Sequence, residues 1–423
     1  MLRRPTQRLL LLLPSTTYRA AAFVEAARRL GVDLTVASER PSTLEQANPA
    51  GLLTLDFQHP ERAADQARDF ARRLPVDAVV GVDDDTAIVA SHIAARLRLR
   101  GNPPQAAVAA RDKHRQRELL RAQRVPGPRF ALHLLDEDPG GIARDVAYPC
   151  VLKPLRLSAS RGVLRADDPA AFVAAQQRLQ AILAEPEAAA CGEPARQFLV
   201  EEFIPGREVA VEGLLLDRRL HVLAIFDKPD PLDGPFFEET IYLTPSDLAA
   251  DPRAAIVQCV ERAVTALGLT EGPVHAELRY NERGPWLIEL AARPIGGRCS
   301  AVLRFGGEEQ GDGSSLEELI VRHALGLPIP SLQRERRAAG VMMIPIPGAG
   351  TLREVRGVAE AKRVPLVEDV QITAHPGERL VPFPEGSRYP GFIFARGGGG
   401  GETAAAVADA LRAAHARLTF VLE

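Results

Sequence analysis

Lysine is scarce in this chain of 423 residues: Lys113, Lys153, Lys228 and Lys362 stand against 48 arginines. A chain that uses arginine wherever a generic cation will serve makes each remaining lysine worth a question. Cysteine is equally rare. Cys150, Cys191, Cys259 and Cys299 lie far apart with no CxxC pair, which argues against a thiolate metal centre or a disulfide framework and fits a reducing cytoplasm. Net charge is also small, −3 at neutral pH, so neither nucleic acid nor an acidic membrane is an expected partner. No apolar run approaches the roughly 20 residues needed to span a bilayer. Leu9–Leu13 follows basic residues, as a signal peptide would, but it is short and no small-residue cleavage site follows. It reads as a first β-strand. That strand enters LPSTTYRA rather than GxGxxG, which excludes a dinucleotide fingerprint. The glycine run Gly397–Gly401 lacks the Lys-Ser or Lys-Thr of a Walker loop and reads as a mobile loop.

What is present is an ordinary globular balance, 46% hydrophobic and 25% charged, which at this length implies two or three domains. Residues 1 to about 105 alternate strand and helix: Leu9–Leu13, Tyr18–Leu30, Leu34–Ala37, Pro60–Leu74, Ala78–Gly81 and Thr86–Leu97. That is a βαβ pattern with a parallel sheet. Asp83-Asp84-Asp85 at a strand end reads as a helix cap and dipole partner rather than a metal site. Residues 106–126 read as one amphipathic helix stopped by Pro126-Gly127-Pro128. Strands follow at Tyr148–Lys153, Val163, Phe198–Ile204, Glu208–Leu216 and Leu220–Phe226, with helices at Pro169–Leu183, Pro252–Leu267 and Leu316–Leu325. Asp227–Pro245 reads as a proline-rich loop and Leu327–Ala338 as a linker. Beyond it, strands near Val341–Ile346, Val370–Thr373 and Phe392–Ala395 and a helix over Thr403–Arg417 form a small α+β unit.

The most informative stretch is VHAELRYNERGPWLIELAARPIGG, from Val274 to Gly297. Its period of two predicts a β-hairpin centred on Arg283, with a three-residue loop and Gly284 left-handed. That register pairs Tyr280 with Trp286, Leu278 with Ile288, and Glu277 with Glu289. One face then carries His275, Glu277, Arg279, Glu289, Ala291 and Arg293; the other carries Leu278, Ile288 and Leu290. Two facing carboxylates destabilise a sheet unless a cation sits between them. Hard oxygen ligands, a guanidinium and open glycine amides suit a Mg²⁺–phosphate site.

Five features stand in a telling order: Lys113 ahead of the Pro-Gly-Pro break; YPCVLKP with Lys153, followed by SASRG; LVEEFIPGREV; the carboxylate hairpin; and ARPIGG. Together they resemble the ATP-grasp superfamily over essentially the whole chain. The resemblance implies an α/β and α+β architecture. A Rossmann-like pre-grasp domain (1–105) would precede a two-part grasp domain (106–330, lid about 128–204) and a small C-terminal α+β lobe (331–423). It implies ATP with Mg²⁺, or Mn²⁺ in its place. Lys113 and Lys153 would contact the α- and β-phosphates, and the loop Ser158–Gly162, with Ser160, would close over them. Glu201, Glu202 and Ile204 would hold adenine, partly through backbone groups, and Glu208 the ribose. Glu277 and Glu289 would hold metal, and Arg293 would stabilise the transferring phosphoryl group and the acyl phosphate.

One position departs from the pattern. Family members often carry Asn two residues after the second glutamate, and here that residue is Ala291. The loop DKPDPLDGPFFEE borders the acceptor substrate in this family, which makes Lys228, Glu238 and Glu239 candidate substrate-side residues. Cys299 reads as a small buried residue. The ending Arg293-Pro-Ile-Gly-Gly looks like that of L-amino acid ligases and carnosine-synthase-like enzymes rather than that of biotin carboxylases. The implied reaction joins a small carboxylate to an amine through an acyl phosphate, releasing ADP and phosphate, in a homodimer by family analogy. A carbamoyl-phosphate- or phosphoribosylglycinamide-type ligase and a non-catalytic nucleotide-binding regulator stay open as alternatives.

Overall fold

The leucine run is the middle of a sheet, and that position explains its lack of alternation. In the computed structural model, which describes residues 6–15, 17–306, 313–399 and 401–423, β1 (Arg8–Leu12) pairs in parallel with β2 (Asp33–Ser38) and β4 (Ala78–Gly81), and β2 with β3 (Leu52–Thr54). Leu9 and Leu11 enter one core, Leu10 and Leu12 another. A parallel strand covered on both faces is apolar throughout. Helices α1 (Ala20–Leu30), α2 (Pro60–Ala71) and α3 (Asp84–Leu97) complete this layer. Gly31 ends α1 in the left-handed conformation, at φ 63°, as a C-cap glycine does.

The single helix expected over 106–126 is two. α4 (Pro104–Arg111) stops at Asp112, whose extended backbone (φ −90°, ψ 108°) caps α5 (Lys113–Ala122) by accepting the Arg115 amide. The aspartate side chain competes for backbone N–H groups and breaks the helix, which puts Lys113 on the first turn of α5.

Next come β5 (Phe130–Leu134), α6 (Pro139–Asp145), β6 (Cys150–Pro154), β7 (Leu164–Ala166), α7 (Pro169–Leu183), α8 (Pro186–Ala189) and β8 (Gln197–Glu202). The strands form a four-stranded antiparallel sheet, β5-β8-β6-β7, packed around Phe172 and Phe198. β5 and α6 are absent from the sequence reading because neither shows a clear apolar period.

An eight-stranded antiparallel sheet carries the rest. It contains β9 (Arg207–Leu216), β10 (Arg219–Asp227), β11 (Ile241–Thr244), β12 (Gly272–Asn281) and β13 (Gly284–Ala291), backed by α9 (Ala250–Leu267) and α10 (Leu316–Ala324). β11 corrects the expectation of an irregular loop over Asp227–Pro245. β14 (Ala339–Met343), β16 (Val367–Ile372) and β18 (Gly391–Arg396) join the same sheet, in the order β13-β12-β9-β10-β11-β14-β18-β16. The remaining strands, β15 (Gly350–Arg356), β17 (Arg379–Leu380) and β19 (Thr419–Leu422), form a small sheet, and α11 (Val358–Lys362) and α12 (Ala404–His415) complete the chain. Within the glycine run, Gly400 lies outside the described residues.

The hairpin turns more tightly than expected, with Asn281 opposite Gly284, Arg279 opposite Trp286 and Leu278 opposite Leu287. A bulge at Ile288 then shifts the register by one residue, so Glu277 faces Glu289 as predicted. Ile288 is therefore not a core residue. Leu287 takes that place at 0% exposure, and Ile288 lines a cavity. α5 clamps this strand: buried Gln116 donates to the carbonyls of Ala110 (2.9 Å) and Leu290 (2.8 Å) and accepts the Leu290 amide (3.0 Å). Gln116→Leu leaves three buried backbone groups unpaired and should cost about 3 kcal/mol, read as a lower denaturant midpoint for unfolding of the grasp region.

Candidate active site

Ten of the residues singled out in the sequence line one compartment: Lys113, Lys153, Ser158, Ser160, Glu201, Glu202, Ile204, Glu208, Glu277 and Glu289. Arg293 lines a larger neighbouring cavity, together with His275, Tyr18 and Tyr389. Ser158–Ser160, Glu239, Glu277 and Glu289 belong to both linings and form the boundary between the two spaces.

Three of the four lysines are buried here; Lys362 is half-exposed and pairs with Asp369. Lys113 donates to the Leu157 carbonyl at 2.9 Å and lies 3.3 Å from Glu289. Lys153 lies 2.8 Å from Glu201, which also receives a two-pronged contact from Arg117 at 2.6 and 3.2 Å. Arg117 in turn donates to the Ile288 carbonyl at 2.5 Å, at the hairpin bulge. Burial by itself would raise the Glu201 carboxyl, but Arg117 and Lys153 outweigh it and bring it from the ordinary 4.5 down to about 2. The Glu201 side chain is thus the anchor of Lys153. Glu202 pairs with Arg129 at the surface.

The Ser158–Gly162 loop is held to two other parts of the chain. Ser158 donates to Asp84 at 3.1 Å, while the Gly162 amide donates to the Pro384 carbonyl at 2.9 Å. That amide is committed, which leaves the Ser158–Ser160 part of the loop to face a ligand. Ala159 and Ser160 both adopt positive φ, 53° and 54°.

Asp83 is a cap, as predicted, bonded reciprocally with Thr86. Asp84 is more than a dipole partner. It accepts from Arg293 Nε at 3.0 Å, and though burial works against it, Arg293, Arg111 and Lys113 hold its carboxyl below the usual carboxylate range. Arg293 is thereby fixed at the wall of the larger cavity.

Lys228 lies among three carboxylates: Glu208 (2.7 Å), Glu239 (2.6 Å) and Glu277 (3.4 Å). Among the described residues these acids form the one group of three His, Cys, Asp or Glu side chains whose ligand atoms gather within 4.8 Å, and the single ammonium lies among them, offsetting part of their charge. Glu208 is further bound by Arg279 at 3.0 Å. Glu238 caps the Ile346 amide and lies away from Lys228.

Glu277 and Glu289 fit a divalent cation on structural grounds. They are cross-strand partners on the cavity boundary, and their nearest lysines stand at 3.4 and 3.3 Å, too far for short charge-assisted bonds. Both carboxylates keep acceptor capacity on the cavity side. Sequence reasoning missed Gln116, Arg117 and the role of Asp84. Gln116 and Arg117 stand three and four residues after Lys113, on its helix face, which is the signal that could have found them.

Three family models match consecutive parts of the chain: an ATP-grasp N-terminal domain over residues 24–101, an ATP-grasp domain over 146–302 and an L-amino acid ligase C-terminal domain 2 over 342–423. The alanine–anticapsin ligase of Bacillus subtilis is 28% identical over 271 residues, 57% of this chain and 56% of that protein. Carnosine synthase 1 of Mus musculus is 29% identical over 284 residues, 64% of this chain and 34% of that protein. The chain thus spans about half or less of the length of these relatives. A solved L-amino acid ligase from Bacillus licheniformis aligns with a TM-score of 0.77 at 26% identity, covering 99% of this chain and 100% of that one.

The buried triad makes a pH prediction. A depressed carboxyl stabilises the fold above its ordinary value, and that stability is lost as pH falls through the folded value. Replacing Glu201 by Gln should therefore open a stability gap to wild type that is widest above pH 4.5 and closes as pH approaches 2, measured by denaturant titrations at each pH.

Proposed function

Because this chain belongs to the ATP-grasp superfamily of ligases, we propose that it joins an amino acid or another small carboxylate to an amine, forming an amide bond and releasing ADP and phosphate. One observation carries the reading. The paired carboxylates and the Ser158–Ser160 loop form the shared wall of two cavities, one furnished with lysines and the other with Arg293. A phosphoryl group passing from nucleotide to carboxylate has to cross such a boundary.

In this reading the smaller compartment takes ATP. Lys113 and Lys153 neutralise phosphate oxygens as point charges, each held in place beforehand by a carbonyl or carboxylate. The Ser158–Ser160 amides cover the phosphates, while Gly162 anchors the loop from outside. The Glu201–Ile204 backbone receives adenine. Glu208 keeps a lone pair on each oxygen for ribose hydroxyls beside its bonds to Lys228 and Arg279. Glu277 and Glu289 hold Mg²⁺ or Mn²⁺, which when bound offsets the repulsion between a carboxylate anion and the γ-phosphate. Arg293, oriented by Asp84, then steadies the acyl phosphate at the mouth of the larger cavity, where the amine arrives. The units 1–105, 106–330 and 331–423 serve as pre-grasp, grasp and C-terminal parts of this machine. Among the described residues no helix is long and apolar enough to cross a membrane; a reducing cytoplasm is the proposed location and a homodimer the proposed assembly, which light scattering tests.

Purified protein with MgATP should release ADP and phosphate when given the right pair from a panel of amino acids, and mass spectrometry should detect the joined product. Lys153→Ala and Glu289→Ala should each lower that turnover by at least about 100-fold while circular dichroism stays unchanged. Near-normal turnover in both variants would overturn the assignment. Nucleotide binding with no ADP release from any pair would favour a regulator.

A further inference from the structure

We propose that Glu385, in the C-terminal lobe, is a positioning residue that holds the Ser158–Gly162 loop closed over the reacting groups and ties that closure to the acceptor cavity. This rests on the ligase reading above and names the part of the chain that joins its two compartments.

The Ser158–Gly162 loop belongs to a sheet with a core of its own around Phe172 and Phe198, so contacts across its boundary set where it sits. Several of them converge on two adjacent residues of the C-terminal lobe. The Pro384 carbonyl accepts the Gly162 amide at 2.9 Å, and the Glu385 carbonyl accepts Arg161 Nε, also at 2.9 Å. The Glu385 carboxylate receives both prongs of Arg178, from α7, at 2.5 and 2.9 Å. Such a fork on a carboxylate fixes orientation as well as distance. Arg161 is buried and pairs with Glu185 too, and the Arg178 guanidinium lies over the Phe236 ring, 4.6 Å from its centroid.

The turn that carries Glu385 reaches the other compartment. The Gly386 amide donates to the Pro382 carbonyl at 2.9 Å, and the Phe383 and Tyr389 rings stand 5.6 Å apart. Only glycine fits at 386, because a Cβ there would overlap the Val381 carbonyl oxygen. A turn closed in this way moves as one piece. Ser387, Arg388 and Tyr389, which follow within it, line the larger cavity. A ligand that presses on this wall therefore acts on Arg161 and Gly162, next to the Ser160 that faces the nucleotide compartment.

A ligase gains from such a latch. If the loop opens while an acyl phosphate waits, water attacks it, carboxylate and inorganic phosphate are returned, and ADP leaves with no amide formed.

Hydrogen exchange read by mass spectrometry over residues 156–163 tests the latch without turnover. MgADP should slow exchange there in wild-type protein, and in the same complex Glu385→Ala should exchange about three- to fivefold faster. Exchanging the two charges, Arg178→Glu with Glu385→Arg, should restore the slow rate. With an amino-acid pair that the wild type joins, Glu385→Ala should release about three- to fivefold more ADP per amide formed. A merely structural contact would lower the thermal unfolding midpoint and leave both the exchange rate and the ADP-to-amide ratio unchanged. That result would overturn the latch and leave the ligase reading standing. Wild-type protein that binds no MgADP would overturn both.

Discussion

One hairpin forces two carboxylates to face each other, and the site is arranged around the cost of that pairing. Glu277 and Glu289 are held in register by a ladder of backbone hydrogen bonds they cannot leave without breaking β12 and β13. Like charges so placed raise the energy of the empty fold. The chain offsets the repulsion only in part, with Lys113 on one side and Lys228 on the other. What is left over is attraction for a further cation, the property a site needs if metal and nucleotide are to bind together.

The cations are themselves fixed. Lys153 depends on Glu201, Glu201 on Arg117, and Arg117 on the carbonyl exposed at the hairpin bulge. The bulge therefore ties the position of a lysine on the four-stranded sheet to the hairpin of the eight-stranded one. Arg293 depends likewise on Asp84, from the first helix turn after the parallel sheet. Buried ion pairs of this kind contribute little net stability, since desolvation cancels much of their Coulomb energy. Their return is geometry: donors held in place before the charge they stabilise has formed.

A similar chain of contacts runs from Glu212 through His275: the imidazole stands 3.6 Å from the buried Glu212 carboxylate and 3.4 Å from Glu277.

The sequence alone determined the kinds of groups and their order along the chain. Three of its four lysines, the two hairpin acids and Arg293 were legible because lysine is rare and the period of two places alternate residues on one face. The parallel N-terminal sheet was legible because a doubly covered strand must be apolar throughout. Only the tertiary structure decided how these groups are used. The tighter turn and compensating bulge, the break at Asp112 and the added strand β11 follow from pairing and capping that no periodicity records. The service of Glu201 to Lys153 and of Asp84 to Arg293 joins residues 48 and 209 positions apart. Such partners meet only after three sheets have packed, because a buried charge selects the nearest counter-charge in space, and distance in space is not written in the order of residues.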